Sequence, residues 1–430
     1  MMCGPHPTFP YGKGIPAYAG VTGSPFHYHL SKMNPQQQPL PLAGIRMLEL
    51  GHTVMGPSCS LVFADLGADV IKVEPLEGER TRHNVGFGAG LFPLFNRNKR
   101  SIALDLKSED GKAILRKLVA QADVLVENFA YGTLERLGFG YDALAEINPR
   151  MVYCSLKGFL SGPYEKRPAL DEVVQYMGGL AYMTGPRGQP LRAGASVVDL
   201  MGGMFGVVGI MAALREREST GRGQKVQSAL FESTAYMVAQ HMSGQIVTGK
   251  EPPPMPHKAS SWAIYETFAT ADEKTIFIAI TSDNHWRAFC SEFGLNELLA
   301  DPALKTNPQR AAGHDRIAPV VADIVRKHSF DAMGTILERL KIPFAPLARP
   351  ADLFDDPHLN QGNRMVEVHF QNGKRARLPA LPLEMGEHTL GMRRQAPRMG
   401  EHTREVLEEA GFSAAEIDAW ISNGIVISAE

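Results

Sequence analysis

The sequence predicts an α/β fold, with a Rossmann-like large domain and a smaller α+β domain. Three observations predict it. Short apolar strands alternate with helical stretches through the first half, about 30 residues per strand–helix–strand unit, the mark of parallel βαβ connections. A proline cluster, Pro252-Pro-Pro-Met-Pro256, then interrupts the pattern as a rigid linker. Beyond it the chain reads as a hairpin followed by helices, not as further βαβ units.

The elements follow in order. Gly44 to Leu50 alternates as a strand, Gly51 to Pro57 reads as a loop, and Ser58 to Leu66 reads as a helix stopped by Gly67. Asp69 to Glu74 is a strand with β-branched residues, and Ser101 to Leu106 is strand-like. Glu109 to Ala122 carries Ile114, Leu115, Leu118 and Val119 on one helical face. Asp123 to Glu127 and Arg150 to Leu156 are further strands. Ser196 to Val198 looks strand-like and runs into a Gly-rich apolar stretch, Leu200 to Leu214, read as a buried helix. A strand from Lys225 and a helix from Glu232 to Val247 close the large domain. Ala263 to Thr281 alternates as a hairpin with its turn at Asp272. Helices are expected over His285–Phe293, Gln309–Lys327 and Phe330–Leu340. Pro343 to Pro350 reads as a second linker, Met365 to Leu378 as β-rich, and Gly400 to Gly424 as a last helix pair.

Residues 1–39 are rich in Gly, Pro, Tyr, His and Gln and lack periodicity or a secretory pattern. They are expected to be a disordered extension, or sequence upstream of a true start at Met33. The remaining boundaries are expected at 40–250, 251–350 and 351–430.

Composition bounds the function. Of 430 residues, 44% are apolar and 21% charged, with formal charge −2, so no basic field for nucleic acid exists. Cys3, Cys59, Cys154 and Cys290 form no Cys-x-x-Cys pair, which argues against a zinc site or disulfide framework and for reduced thiols in the cytoplasm. No apolar run approaches the roughly 18 to 20 residues of a membrane span. Neither Gly-x-Gly-x-x-Gly nor a Walker A sequence is present, so dinucleotide or P-loop binding is not indicated.

Open α/β sheets bind ligands at the carboxyl ends of their strands. His52, Asn128, Lys157 and Asp199 all fall just past expected strand ends. Asp199 lies between two apolar runs, where an unpaired carboxylate is costly. It is either the N-cap of the following helix or a nucleophile held in the positive end of the helix dipole.

Nine stretches, in order from about residue 41 to 425, make the chain resemble the family III CoA-transferases. They are Pro41–Leu50, Ala64–Glu74, Asn96–Lys107, Asp123–Phe129, Leu137–Tyr141, Asn148–Arg150, Thr220–Gln224, Asp356–Leu359 and Met399–Thr403. That family includes formyl-CoA transferase, carnitine CoA-transferase and α-methylacyl-CoA racemase. The resemblance implies an interlocked homodimer and a large domain completed by a returning C-terminal segment. It implies coenzyme A thioesters as substrates, with no tightly bound cofactor, no metal, no nucleic acid and no membrane. Asp199 matches the catalytic carboxylate, which would accept the donor acyl group as a mixed anhydride and then carry CoA as an aspartyl thioester.

Other positions carry over one by one. Asn128 and Phe129 match the pair beside CoA, Leu104 an adenine-pocket residue, Lys107 and Arg136 phosphate-facing cations, and His52 and Thr53 the thioester-end loop. Bland readings stand beside these: solvated helix-edge charge for Lys107 and Arg136, plain core for Phe129, and a structural hydrogen-bonder for His52. Pro75 stands where the family often has an arginine, a charge that Arg80 or Arg82 would have to supply. The racemases need a histidine opposite the aspartate, and Leu170 occupies its place, beside Asp171; a further racemase glutamate falls at Ala269. Racemisation is therefore the second expectation, and a non-catalytic CoA-binding subunit the third. No Gly-Gly-Gly run occurs near Lys258 to Tyr265, which argues against oxalate as acceptor. Arg192 is a candidate for a second carboxylate, or a sulfinate, on the acceptor, or else a surface salt bridge. The preferred pair is succinyl-CoA and a small dicarboxylic or similar acid.

Overall fold

The computed structural model describes residues 39–257 and 261–429. The expectations for residues 1–38, with Met33 and Cys3, and for Lys258 lie outside these.

Six strands form the parallel part of the main sheet: β1 (Arg46–Leu50), β2 (Asp69–Glu74), β3 (Arg100–Leu104), β4 (Val124–Glu127), β5 (Val152–Lys157) and β6 (Lys225–Ala229). Their order is β3-β2-β1-β4-β5-β6, the doubly wound arrangement whose direction of growth reverses between β1 and β4. Strands covered on both faces read as unbroken apolar runs. Met47 and Val124 point into one core with Cys59, Phe63 and Ile210, while Leu48 and Leu125 point into the other with Ile114, Leu118 and Tyr153. This mixed α/β fold with a parallel-dominated sheet agrees with the sequence.

Three further strands, β7 (Ile264–Ala269), β8 (Thr275–Ile280) and β9 (Phe344–Pro346), make an antiparallel sheet around a third core that includes Trp286, Phe289, Ile317, Val321 and Leu337. A hairpin of β10 (Met365–His369) and β11 (Arg375–Pro379) follows. The last strand, β12 (Val426–Ile427), pairs antiparallel with β3, and the helices Thr403–Glu409 and Ala414–Ser422 add Val406, Leu407 and Ile417 to the second core.

Four expectations are corrected. The helix read from Leu200 begins at Val197 and runs to Thr220, so Val197 and Val198 are helical, not strand. It is long enough to span a membrane, with a mean hydropathy of 2.0 over an 18-residue window, where the sequence reading found no such run. One side of it is nevertheless packed inside the protein: a Cβ on Gly203 would lie 2.6 Å from Ser58 Oγ and 3.0 Å from the Met55 carbonyl. Pro343 to Pro350 is no mere linker, because β9 completes the small sheet as an edge strand, where proline is tolerated. Gln309–Lys327 is two helices, Asn307–Ala312 and His314–Val325, broken at Gly313.

Beneath the carboxyl end of β1 lies a buried ionic network. Glu49 accepts hydrogen bonds from Lys72 Nζ and Lys99 Nζ, each at 2.8 Å, and from Ser60 Oγ at 2.8 Å. All three ionic side chains have zero exposure. Burial alone would raise the Glu49 carboxyl, but the two ammonium groups outweigh it and hold it at about 2.

Candidate active site

A cavity of about 660 Å³ opens where the sheet changes direction, between the loops after β1 and β4. His52, Thr53, Asn128 and Phe129 line it, together with Lys157 at the end of β5 and Asp199 from the long helix. The four strand-end candidates of the sequence therefore meet in one place. Asp199 arrives there from the first turn of a helix and not from a strand end.

The β1 loop is clamped by Asn128. Its Oδ1 accepts from the His52 N–H at 2.8 Å and its Nδ2 donates to the His52 carbonyl at 2.9 Å. The imidazole lies tilted against Phe129, ring centroids 5.8 Å apart, and its Nδ1 is 2.9 Å from Thr53 Oγ1. Burial pushes the His52 pKa below its ordinary value, against the pull of Glu79. Lys157 Nζ donates to Glu127 Oε2 and to the Phe129 carbonyl, both at 2.7 Å, which fixes the β4 loop from the other side.

Asp199 is not the helix cap. The cap position belongs to Ser196, whose side chain accepts no cap hydrogen bond, and N–H groups of the first turn are satisfied by a residue of another helix. Asp171, from the helix Asp171–Met177, accepts through Oδ2 from the Val198 N–H at 2.9 Å and the Asp199 N–H at 3.0 Å. Gln175 Nε2 holds the other oxygen of Asp171 at 2.5 Å, and Gln175 Oε1 accepts from the Ala193 N–H. Among the described residues none donates a hydrogen bond to the Asp199 carboxylate. Burial, and then the negative charge of Asp171, lift its pKa to about 7. The helix dipole was expected to keep it ionised; desolvation and a like charge win instead. Two carboxylates with different roles result: one locked in a structural task, one unsatisfied and open to the cavity.

The other candidates lie elsewhere. Leu104 is buried within β3, Lys107 is exposed with its N–H on Asp105 Oδ1, and Arg136 is exposed with Nη2 on Thr133 Oγ1. None of the three lines this cavity. Arg192 is paired with Glu172 at 3.0 Å and stands 4.0 Å from Asp171 Oδ1, outside the lining. Of the two arginines considered in place of Pro75, Arg82 is occupied: Nε and Nη2 both sit 2.6 Å from Glu74, and its guanidinium lies over Phe92. Arg80 lines the cavity. Leu170 also lines it and carries no proton to exchange.

Tyr131, Lys166 and Arg167 complete the mouth and were not foreseen. They sit on irregular loops with no periodic signal, and only the basic pair Lys166-Arg167 beside aromatic residues hinted at a site. Arg80, Lys166 and Arg167 bring positive charge to the cavity beside Glu165, while Lys157 is already paired with Glu127; the three arginine and lysine side chains suit an anionic ligand. A second cavity of about 630 Å³, lined by residues such as His358, Arg364 and His388, has Glu384 as its carboxylate, and Arg364 occupies that at 2.8 Å.

Residues 42–403 match the model of CoA-transferase family III. An acyl-CoA transferase of Fusarium pseudograminearum is 33% identical over 402 residues, covering 90% of this chain and 88% of that protein. A succinate–glutarate CoA-transferase of Agrobacterium fabrum is 32% identical, covering 87% and 96% respectively. The crystal structure of a CaiB/BaiF family protein from Brucella suis superposes with a TM-score of 0.76 at 32% identity, over 87% of this chain and all of that one.

Proposed function

The chain belongs to CoA-transferase family III, and from that premise we propose that it moves CoA from succinyl-CoA to a small dicarboxylic acid with Asp199 as the covalent relay. The observation that carries this reading is the unsatisfied Asp199 carboxylate at the cavity wall, its helix cap supplied by Asp171.

An Asp199 oxygen attacks the thioester carbonyl, and CoA leaves as thiolate, giving an aspartyl–acyl mixed anhydride. The thiolate attacks the Asp199 carbonyl carbon and releases the donor acid, leaving CoA on Asp199 as a thioester. The acceptor carboxylate then attacks that carbon, CoA leaves again, and the thiolate takes the acceptor acyl group and frees Asp199. A carboxylate without hydrogen bonds is a better nucleophile than a capping one, and His52, which lines the same cavity, suits the thioester end that the family resemblance implies for it. Arg80, Lys166 and Arg167 suit the CoA phosphates and a second carboxylate on the acid. The dicarboxylate preference is drawn from the succinate–glutarate relative and from that charge.

Incubation with succinyl-CoA followed by hydroxylamine should give a hydroxamate at Asp199, and borohydride the corresponding alcohol, both read by mass spectrometry. Absence of any adduct in protein that still binds CoA would sink the relay.

We also propose a homodimer. Met204, Phe205, Val208 and Met211 on the long helix, with Tyr236, Met242, Ile246 and Val247 on the helix Leu230–Thr248, leave exposed apolar side chains that a second copy would cover. Sedimentation should give twice the chain mass, and Ile246→Glu with Val208→Glu should shift it toward one; a wild-type monomer at micromolar concentration would refute this.

A further inference from the structure

We propose that Glu79 is a positioning residue for thioester binding: its hydrogen bond to the Thr53 N–H holds the His52–Thr53 turn in the conformation that presents His52 to the cavity. This rests on the reading that the cavity takes an acyl-CoA thioester.

Thr53 has φ +66°, a left-handed conformation that is uncommon for any non-glycine residue and especially for a β-branched one. Something must hold it there. Glu79 Oε1 accepts from the Thr53 N–H at 2.8 Å and from Thr81 Oγ1 at 2.5 Å. Its other oxygen lies 2.6 Å from Lys72 Nζ. Lys72 in turn donates to the Gly51 carbonyl at 3.0 Å. The two ends of the turn, the Gly51 carbonyl and the Thr53 amide, are therefore both gripped by one buried ion pair. Asn128 holds the residue between them from the cavity side.

Glu79 is itself 4% exposed and does not line the cavity. Its backbone N–H is fixed on Glu74 Oε2 at 3.0 Å. The next residue, Arg80, does line the cavity, so a shift of Glu79 displaces a cation of the mouth as well. Without the bond to Glu79, Thr53 is free to relax to negative φ. The His52 ring, 2.9 Å from Thr53 Oγ1, would move with it. Glu79 thus acts through Thr53 and never touches substrate.

A double-variant cycle separates this from a role in charge balance alone. Glu79→Asp keeps the charge opposite Lys72 but falls one methylene short of the Thr53 N–H. Thr53→Gly removes the need for that bond, because glycine takes positive φ freely. Positioning predicts that Glu79→Asp raises KM for succinyl-CoA about tenfold with kcat within about threefold, the pattern of lost uniform binding, but raises it less than about threefold when Thr53→Gly is already present. A wild-type KM for folded Glu79→Asp, or the same KM increase with Thr53→Gly present as without it, overturns it. Asp199 labelling of the wild type on the same preparations keeps the two readings apart. If wild type is not labelled, the relay fails; if it is labelled and Glu79→Asp keeps its KM, only the role of Glu79 fails.

Discussion

Asp199→Asn should abolish CoA transfer and stabilise the protein in the same substitution. The amide oxygen cannot form the anhydride, so turnover should fall by at least about a thousandfold, the scale of losing a covalent nucleophile. The stability change follows from linkage. Asp199 has a folded pKa of about 7, raised first by burial and then by Asp171. In the unfolded chain it titrates near the ordinary carboxylate value of about 4. The fold therefore binds the proton more tightly than the unfolded chain does. The penalty is absent below about pH 4, grows as pH rises, and is complete above the folded pKa near 7. Asparagine carries no such penalty. At pH 8 the variant should be more stable by about 2 kcal/mol, after discounting the pKa difference for the solvent that reaches the cavity. At pH 5 the gain should be smaller, roughly half. Urea melts at the two pH values check the sign, and a destabilised variant at pH 8 would show that Asp199 has a structural partner after all. The same titration sets the acid limb of the wild-type rate, which should fall as pH drops through about 7 because the nucleophile is the ionised form.

How far the sequence reveals this site depends on whether the relevant signal is local. β1, β2, β4 and β5 lie within two residues of their expected spans, because apolar runs between glycines and turn residues are a local pattern. His52 and Asn128 follow from the strand ends and the switch-point rule. The start of the long helix does not, because its cap comes from Asp171, 28 residues earlier, and no local residue announces it. Val197-Val198 ahead of an aspartate then looks like a strand. β12 is two residues long and is held by β3, too short to leave a pattern. Glu79 shows no sequence signal, since its role depends on the φ of a residue 26 positions away. Several stretches that carry the family resemblance turn out to be structural latches. Lys72 and Lys99 grip Glu49, while Arg97 and Asn98 are bound to Asp65.

Glu49→Ala is expected to cost the most stability of any substitution near the site. Lys99 would keep only the Asn96 Oδ1 and Pro57 carbonyl, each at 3.0 Å, and Lys72 only Glu79 among its carboxylate partners. Breaking a buried pair by removing one partner costs about 3–5 kcal/mol, because a charge is left without compensation in a medium that solvates it poorly. Lys99 would respond by giving up its proton. Burial, assisted by the like charge of Lys72, already brings it down to about 8 against the pull of Glu49. Without Glu49 it would be neutral at pH 7. The loss should therefore be smaller at pH 9 than at pH 6, since the lone lysine is already deprotonated at the higher pH. Replacing both partners tests the same physics from the other side. Glu49→Leu with Lys99→Met removes a charge of each sign and leaves Lys72 paired with Glu79. That double variant should recover most of the lost stability, since apolar groups of similar size often replace a buried pair at little cost. It should recover less activity, because Lys72 anchors the Gly51 carbonyl under the β1 loop and loses half its own fixation with Glu49. Equilibrium urea unfolding of the two variants gives the test. A Glu49→Ala loss below about 1 kcal/mol, or a double variant no better than the single, would mean that water enters the network and shares its charge.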